Sequence, residues 1–407
     1  MRWEKVRLGD ISNNIQTGPF GSQLHQSDYS VEGIPVVMPK DIVDGKLSDE
    51  SIARVNESHV NRLKRHKIEV GDILYSRRGD VGRCALATKN EEGWLCGTGC
   101  LRVTINSDIA NPKFIFYQLQ KKETIGWVEK HAVGATMLNL NTSILSDVPI
   151  ELPNINEQNR IVEKISAYDD LIENNKKQIK LLEEAAERLY REWFVDLHFP
   201  GYEDAKIVDG MPAGWRKDRA DSFFKITIGK TPPRAEKQWF AGTNNGIPWL
   251  SISDMGNSGT FIFKTNEGVT AEAVKKHNMK VVPSGTIFVS FKLTVGRVAI
   301  ATTEMCTNEA IAHFYIDDNE QQAYTYCYLC NFEYDTLGNT SSISKAVNSK
   351  IIKAMTFIMP TKEIIKEFSN VVMPILDEIK VKQGMCYKLA EARNRLLPKL
   401  MSGEVEV

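Results

Sequence analysis

The tripeptide Gly229-Lys230-Thr231 matches the end of a phosphate-binding loop. Such a loop needs another glycine five positions earlier and a helix directly after it, because its backbone amides must cradle the phosphates. Here Phe224 occupies the earlier glycine position, and Pro232-Pro233 follows where the helix should begin. We therefore expect no nucleotide-hydrolysing site at this tripeptide.

Two cysteine pairs have spacings that resemble half of a zinc site. They are Cys96 with Cys100, and Cys327 with Cys330. A structural zinc ion needs four ligands, and neither pair has a histidine or a second Cys-x-x-Cys beside it. The sequence also lacks the Asn-Pro-Pro-aromatic or Asp-Pro-Pro-aromatic string of an amino-methyltransferase. We expect no metal, no cofactor and no catalytic constellation in this chain.

Lysine and arginine residues cluster near predicted turns and recur at similar places in the two halves of the chain. Both residue types suit phosphate contacts, and arginine also suits base edges. The candidate nucleic-acid contacts are Arg62, Lys64, Arg65, Lys67, Arg77, Arg78, Arg83, Lys230, Thr231, Arg234, Lys237, Trp239, Lys275, Lys276, Lys292 and Arg297. A solvated charged surface is the alternative, and the pairs Gly82-Arg83 and Gly296-Arg297 equally suit turns that hold the fold.

The composition limits how the chain could bind a nucleic acid. The chain has 407 residues, with 51 Lys and Arg against 52 Asp and Glu, so its formal net charge is −1. This balance excludes a polycation, and any basic patch must therefore be local. The sequence contains no run of about 18 apolar residues, so we expect no membrane span. The odd number of cysteines and the absence of an apolar leader favour a reduced, cytoplasmic protein.

An internal repeat supplies the elements that must position these residues. A gapless block of identities recurs 214 positions later, in which Gly71, Ile73, Ser76, Gly82, Arg83, Ala85, Ala87 and Thr88 become Gly285, Ile287, Ser290, Gly296, Arg297, Ala299, Ala301 and Thr302. Short β-branched runs between turn formers predict a hairpin in each copy. We predict two similar mixed α/β modules, the first module at residues 1–155 and the second module at residues 213–360.

A long helix is predicted after each module, at residues 156–198 and 361–403, with a linker at 199–212. Apolar residues alternate at spacings of four and three for more than four heptads, which is typical of a coiled-coil seam. The seam positions are Ile161, Ile165, Tyr168, Ile172, Asn175, Ile179, Leu182, Ala186, Leu189 and Trp193 in the first helix, and Phe368, Val372, Ile375, Ile379, Lys382, Cys386, Leu389, Arg393, Leu396 and Leu400 in the second.

The short linker predicts how these two helices pair. A parallel pair would require the second module to span the whole helix length back to its start, whereas an antiparallel pair needs no such return. Asn154 or Asn156 can cap the first helix, and Pro374 can kink the second. We therefore expect an antiparallel coiled coil that separates the modules. The alternative is that each helix only braces its own module.

The ordered motifs of the chain resemble those of the specificity subunit of type I restriction-modification enzymes, over essentially its full length. The motifs are Trp3-Glu4-x-Val6-x-Leu8-Gly9-Asp10-Ile11, Gly33-Ile34-Pro35, Gly71-Asp72-Ile73-Leu74-x-Ser76-x-x-Gly79-x-x-Gly82, Leu152-Pro153-x-x-x-Glu157-Gln158-x-Arg160-Ile161, Gly246-Ile247-Pro248-Trp249 and Leu396-Leu397-Pro398-Lys399-Leu400. The second module departs from the first in two places. It lacks the Glu-Gln-x-Arg-Ile signature after Pro360, and it has Ser-Phe-Lys-Leu at 290–293 where Ser-Arg-Arg-Gly stands at 76–79.

The resemblance implies two target-recognition domains, each reading one half of a bipartite sequence in double-stranded DNA. It further implies that two DNA adenine methyltransferase subunits and ATP-dependent endonuclease subunits assemble with a non-catalytic chain. S-adenosylmethionine, ATP and magnesium would then belong to those partners. Three alternatives remain open at this stage: a stand-alone enzyme with a diverged site, a coiled-coil adaptor without a DNA role, and the recognition subunit of a related methylation or cutting system.

Overall fold

In the computed structural model, the described residues are 3–134, 137–242, 245–337 and 347–405. The chain divides into two compact units. The first unit holds Met1–Asp170 and Leu389–Val407, and the second unit holds Leu171–Lys388. Each unit therefore contains one of the two modules and a stretch of both long helices.

The first unit builds its module from small β-sheets. Glu4–Arg7 pairs antiparallel with Pro149–Leu152, which joins the first and last strands of the module. A four-stranded sheet has the order Ser12–Thr17, Cys100–Ile105, Ile73–Ser76, Cys84–Leu86, and another has the order Leu95–Cys96, Ile34–Val37, Ala53–Val55, Tyr29–Ser30. Ile42–Val43 and Lys46–Leu47 form a short hairpin.

Short helices cover these sheets. The α-helices are Glu57–Arg62, Pro112–Leu119, Lys122–His131 and Thr142–Ser146, and single 3-10 turns lie at Leu8–Ile11, Gln26–Asp28, Pro39–Asp41 and Lys64–His66. Asn111 starts one of them, since its side chain accepts hydrogen bonds from the amides of Lys113 and Phe114, and Pro112 occupies the first helical position. The buried side chains of this helix, including Phe114, join the main core of the unit.

The second unit repeats this plan. Arg216–Arg219 pairs with Thr356–Met359. A five-stranded sheet has the order Ile226–Ile228, Ile311–Phe314, Ile287–Ser290, Val298–Ala301, Phe261–Ile262, and a four-stranded sheet has the order Phe240–Ala241, Glu267–Val269, Ile247–Leu250, Cys306–Thr307. The α-helices of its module are Ala220–Phe223, Ile252–Ser258, Ala271–Lys276, Glu320–Asn331 and Ser349–Lys353, with 3-10 turns at Lys237–Trp239 and Tyr334–Thr336.

Strand pairing confirms the repeat that the sequence predicted. In the first unit, Ile73–Ser76 pairs antiparallel with Cys84–Leu86, and in the second unit Ile287–Ser290 pairs antiparallel with Val298–Ala301. In each unit, the strand that follows the glycine of the Gly-Ile-Pro motif also pairs in parallel with a short strand. This partner is Leu95–Cys96 in the first unit and Cys306–Thr307 in the second. The two modules therefore share the central strand order of their sheets, and Phe261–Ile262 adds a parallel edge strand to the second module.

The long helices are Ile155–Tyr190 and Lys362–Met401. Asn154 caps the first, because its side-chain oxygen accepts a hydrogen bond from the amide of Glu157 at 3.0 Å. The second helix runs continuously through Pro374. All the predicted seam positions on both helices are buried or partly buried. After the first helix come a π-helical turn at Arg191–Val195, a 3-10 turn at Tyr202–Asp204 and a hairpin of Ile207–Val208 with Met211–Pro212.

Within each unit the two helices run antiparallel. In the first unit, Ile161 shares a core with Leu400, and Arg393 is paired with Asp169 at 2.6 Å. In the second unit, Trp193 packs edge-to-face on Phe368 with ring centroids 5.5 Å apart, and the thiol of Cys386 donates to the carbonyl of Ile172 at 3.7 Å. In each unit, later residues along the first helical stretch contact earlier residues of the second helix. Among the described residues, no helix is long and apolar enough to cross a membrane.

Candidate nucleic-acid interface

A close backbone approach positions the Lys230-Thr231 segment of the second module. Gly229 ends the stretch that pairs with Ile311–Phe314, and its amide donates to the carbonyl of Ile311 at 3.1 Å. A β-carbon at Gly229 would collide with the backbone carbonyl of Asn308. Glycine is therefore required here, because only it lets the two segments touch. The contact brings Thr231 next to Glu309.

Glu309 is the centre of a polar cluster that the sequence did not predict. Its carboxylate accepts a hydrogen bond from the hydroxyl of Thr231. Partial burial opposes ionisation, but this hydrogen bond and the nearby charges of Lys292 and Arg234 together lower the pKa of Glu309 below its ordinary value. We call Thr231, Arg234, Lys292 and Glu309 the Glu309 cluster. It combines an ionised acceptor with two cations.

Aromatic rings hold Arg234 in place within this cluster. Its guanidinium lies 4.5 Å from the ring centroid of Phe240 and 4.6 Å from that of Trp249. One guanidinium nitrogen is also paired with Glu267 at 2.7 Å. Lys230 is tied to the same region, since its ammonium donates to the carbonyl of His277 at 3.1 Å. Stacking and pairing fix the orientation of Arg234, so it is pre-organised to present its remaining N–H groups.

Two of the predicted DNA contacts in the second module make close contacts within the fold. Trp239 is only 8% exposed, packs in a hydrophobic cluster and carries the ammonium of Lys276 4.5 Å above its ring. Arg297 donates to the carbonyl of Ile252 at 2.8 Å. A buried indole offers no surface to a nucleic acid, and an arginine bound to a backbone carbonyl anchors a loop. Lys237 and Lys275 are exposed.

In the first module, several candidate arginines also have partners within the protein. Arg62 donates to the carbonyl of Gln23 at 2.9 Å, and Arg65 donates to the ring of His66 at 3.0 Å. Burial, with smaller effects from Arg65 and Arg102, lowers the pKa of His66 to about 4, so this ring is neutral at physiological pH. The histidine is therefore a structural acceptor beneath the basic segment.

Arg83 repeats the behaviour of Arg297. Its guanidinium is paired with Asp80 at 2.8 Å and donates to the carbonyl of Ile42 at 3.3 Å. Both Gly-Arg pairs therefore place an arginine against an isoleucine carbonyl that follows the Gly-Ile-Pro strand. The remaining candidates are differently placed: Lys64 and Arg78 are exposed, while Lys67 and Arg77 are partly buried.

The cysteine pairs do not form a metal site in the described part of the chain. No group of three or more His, Cys, Asp or Glu residues is arranged there to hold an ion. Burial raises the pKa of Cys96 to about 12 and raises the pKa of Cys100 and that of Cys327 well above the ordinary thiol value, so these thiols stay protonated. Protonated, buried thiols act as small apolar side chains rather than as metal ligands.

Comparisons with known proteins agree with this arrangement. The family model for the type I restriction modification DNA specificity domain matches residues 1–184 and 212–383. The Type I restriction enzyme HindI specificity subunit of Haemophilus influenzae is 24% identical, over 99% of this chain and 99% of the relative. The Type I restriction enzyme MjaIX specificity subunit of Methanocaldococcus jannaschii is 26% identical, over 100% of this chain and 94% of the relative.

A solved structure shares the fold. The crystal structure of the type I restriction-modification system S subunit from M. genitalium superimposes with a TM-score of 0.60 at 17% identity, covering 98% of this chain and 96% of that one. Two repeated modules, each followed by a long helix, correspond to the two regions that the family model matches. The chain belongs to the type I restriction modification DNA specificity domain family and carries two such domains. As a specificity subunit it is non-catalytic, and catalysis lies in partner subunits.

Proposed function

We propose that the two modules read the two halves of a bipartite DNA target through their loop surfaces, each module reading one half. The observation that carries this proposal is the Glu309 cluster, in which a carboxylate bound by Thr231 lies near the charges of Lys292 and Arg234. A surface made only for phosphates would gain nothing from a carboxylate. Carboxylates accept hydrogen bonds from the amino groups of bases, whereas cations contact phosphates and guanine.

The exposed cations around each module make the phosphate contacts in this proposal. In the first module they are Lys64 and Arg78, and in the second they are Lys237, Lys275 and Lys292. These side chains fix the position of the protein on the duplex, and they carry no sequence information themselves. Sequence is read by the residues between them.

The two long helices set the distance between the half-sites and provide a surface for partner subunits. Support for this role comes from their antiparallel contacts within each unit and from the family to which the chain belongs. Two DNA adenine methyltransferase subunits and the endonuclease subunits assemble with the chain, and S-adenosylmethionine, ATP and magnesium act in those partners. The complex works in the cytoplasm, where its DNA substrate lies.

Charge reversal tests the DNA surfaces in the complete methyltransferase complex. Lys237→Glu with Lys292→Glu in the second module, and Lys64→Glu with Arg78→Glu in the first, should each weaken DNA binding across all sequences. Affinity falls as salt rises, and each lost phosphate contact reduces the steepness of log affinity against log salt by about 1. Each pair of substitutions should therefore reduce this steepness by about 2.

The control pair is Lys206→Glu with Lys217→Glu, which changes the net charge equally at two other exposed lysines of the second unit. Its salt slope should stay close to that of the unmodified complex. Equal losses in the control and test pairs would mean that only the net charge matters. No loss in either test pair would favour an adaptor without a DNA role.

A further inference from the structure

Leu293 is an unusual residue of the second module. It lies in the loop between Ile287–Ser290 and Val298–Ala301, and 94% of its surface is exposed. Its backbone has a φ of +64°, a conformation that is unfavourable for a leucine because its β-carbon crowds the backbone. An exposed leucine contributes nothing to the core, so neither packing nor backbone preference accounts for this residue.

The first module shows that the fold itself does not ask for leucine here. Both loops close with the same hydrogen bond of 2.9 Å, from the amide of Ser76 to the carbonyl of Arg83 and from the amide of Ser290 to the carbonyl of Arg297. At the position equivalent to Leu293, the first loop has Gly79, with a φ of +76°. Glycine adopts this conformation without strain. The second module therefore carries a leucine where the shared backbone favours glycine.

The surroundings of Leu293 indicate what it contacts. Its neighbour Lys292 belongs to the Glu309 cluster, and the amide of Phe291 donates to the carbonyl of Ala310 at 2.9 Å, directly beside Glu309. The exposed leucine is thus attached to the polar surface that the proposed function assigns to DNA. Proteins use apolar side chains on such surfaces to contact thymine methyl groups or to enter between bases.

We propose that Leu293 is a specificity-determining contact, which touches the apolar surface of a base in the half-site read by the second module. This proposal rests on the proposed function. The side chain meets either a thymine methyl group or the face of an unstacked base, and both surfaces are apolar. The strain at φ +64° is retained because glycine at this position would remove the contact.

The test compares Leu293→Gly with Leu293→Asn in the complete methyltransferase complex. Glycine relieves the strained backbone, and asparagine tolerates it while replacing the apolar surface with an amide. The control is Val208→Asn, which changes a 56% exposed apolar residue on the hairpin before the second module. Thermal unfolding, methylome mapping and binding to duplexes with either half-site scrambled are measured for each variant.

We expect Leu293→Gly to unfold at the same temperature as the unmodified chain or higher, while discrimination of the second half-site falls by about tenfold, the usual cost of one mismatched base pair. Discrimination of the first half-site and the control variant should be unchanged. Uracil in place of each thymine in the second half-site identifies a methyl contact if it reproduces the loss. Increased 2-aminopurine fluorescence on binding identifies an unstacked base.

Three results would overturn the inference. One is a Leu293→Gly complex that keeps its second half-site discrimination within about twofold of normal, well below the tenfold effect of a lost base contact. Another is a loss of discrimination in Leu293→Gly when uracil substitution has no effect on the unmodified complex and 2-aminopurine fluorescence does not increase on binding. The third is defective assembly with methyltransferase subunits at normal discrimination. If the unmodified complex itself discriminates neither half-site, the proposed function fails, and that outcome is separate from all three.

Discussion

The two modules have the same scaffold but different loop tips. In each module, a glycine directly after the first strand of the main sheet lies against the backbone of another loop. A β-carbon at Gly18 would collide with the carbonyl of Gly97, and one at Gly229 with the carbonyl of Asn308. Counting on from these partners, the first module has Thr98 where the second has Glu309. The hairpin tips likewise differ, with Gly79 in the first and Leu293 in the second.

This difference between scaffold and loop tips shows which parts of the module can vary. The scaffold is held by backbone hydrogen bonds and buried apolar side chains, neither of which depends on the exposed loop residues. A change at a loop tip alters the surface offered to a ligand and leaves the strands in register. Two modules of one topology can therefore read two different half-sites.

The largest expected effect comes from exchanging a whole module. Replacing residues 1–155 with the first domain of another family member should change one half of the methylated motif completely and leave the other half as it was. The physical reason is that each module has its own core and its own loop surface. Methylome sequencing of cells that carry the hybrid with its partner subunits gives the answer.

The reciprocal exchange of residues 213–360 is the matched control, and it should change the opposite half only. A hybrid that alters both halves, or neither, would show that the modules do not read independently.

A smaller effect is expected from lengthening the coiled coil. Each unit holds parts of both helices, so four residues should be added to both, after Asn175 and after Lys382, rather than to one helix alone. Four residues add about 6 Å at 1.5 Å per residue. Since DNA rises about 3.4 Å per base pair, the spacer should grow by one to two base pairs.

Methylation-site mapping of this double insertion reads out the spacer and both half-sites together. Insertion after Asn175 alone is the control, because it shifts one helix against the other and should lower activity instead. An active double-insertion complex with an unaltered spacer would support the alternative in which the helices only brace their modules.

Glu309→Gln is expected to weaken sequence discrimination at a single base pair. The amide keeps the size and the contact with Thr231, but it loses the charge and adds a donor. Discrimination at one position of the second half-site should fall by about 1–3 kcal/mol, the usual value for a base contact. Competition binding with duplexes mutated at each position measures it.

Glu304→Gln provides the comparison, since Glu304 is also an exposed carboxylate of the second module. Its variant should bind all duplexes normally. If Glu309→Gln weakens every duplex equally, the carboxylate acts on the cluster and does not read a base.

The smallest expected effect concerns two cations on the helix seam. Arg393 reaches across to Asp169 in the first unit, whereas Lys382 in the second unit is paired with Glu378 of its own helix at 2.8 Å. Arg393→Met should lower the free energy of unfolding by about 1 kcal/mol, and Lys382→Met by about 0.3–0.5 kcal/mol. Chemical unfolding of the full chain measures both, and a larger loss from Lys382→Met would contradict this order.

Several features of the fold were predictable because their causes are local. The hairpin at Ile73–Ser76 follows from β-branched and apolar runs between turn residues, and the start of the first long helix follows from a capping asparagine. Asn154 rather than Asn156 is the cap, a choice that the sequence left open. The seam positions follow from the heptad spacing.

The candidate site was predicted less completely, since exposure and partners depend on distant segments. The sequence alone placed Trp239 among the DNA contacts, yet the fold buries its ring. The sequence also could not show that Arg297 donates to the backbone carbonyl of Ile252. Nor did it single out Glu309, which becomes notable only because Lys292 and Arg234 lie beside it.

The repeat, the two helices and the hairpins could be predicted from the sequence, because periodicity, turn residues and caps act over a few neighbouring positions. Tertiary packing decides which cations are exposed, which carboxylate has cations near it, and which leucine is exposed at a positive φ. Those properties arise when segments far apart in the chain pack together, as Gly229 does against Asn308. Local rules do not contain that information.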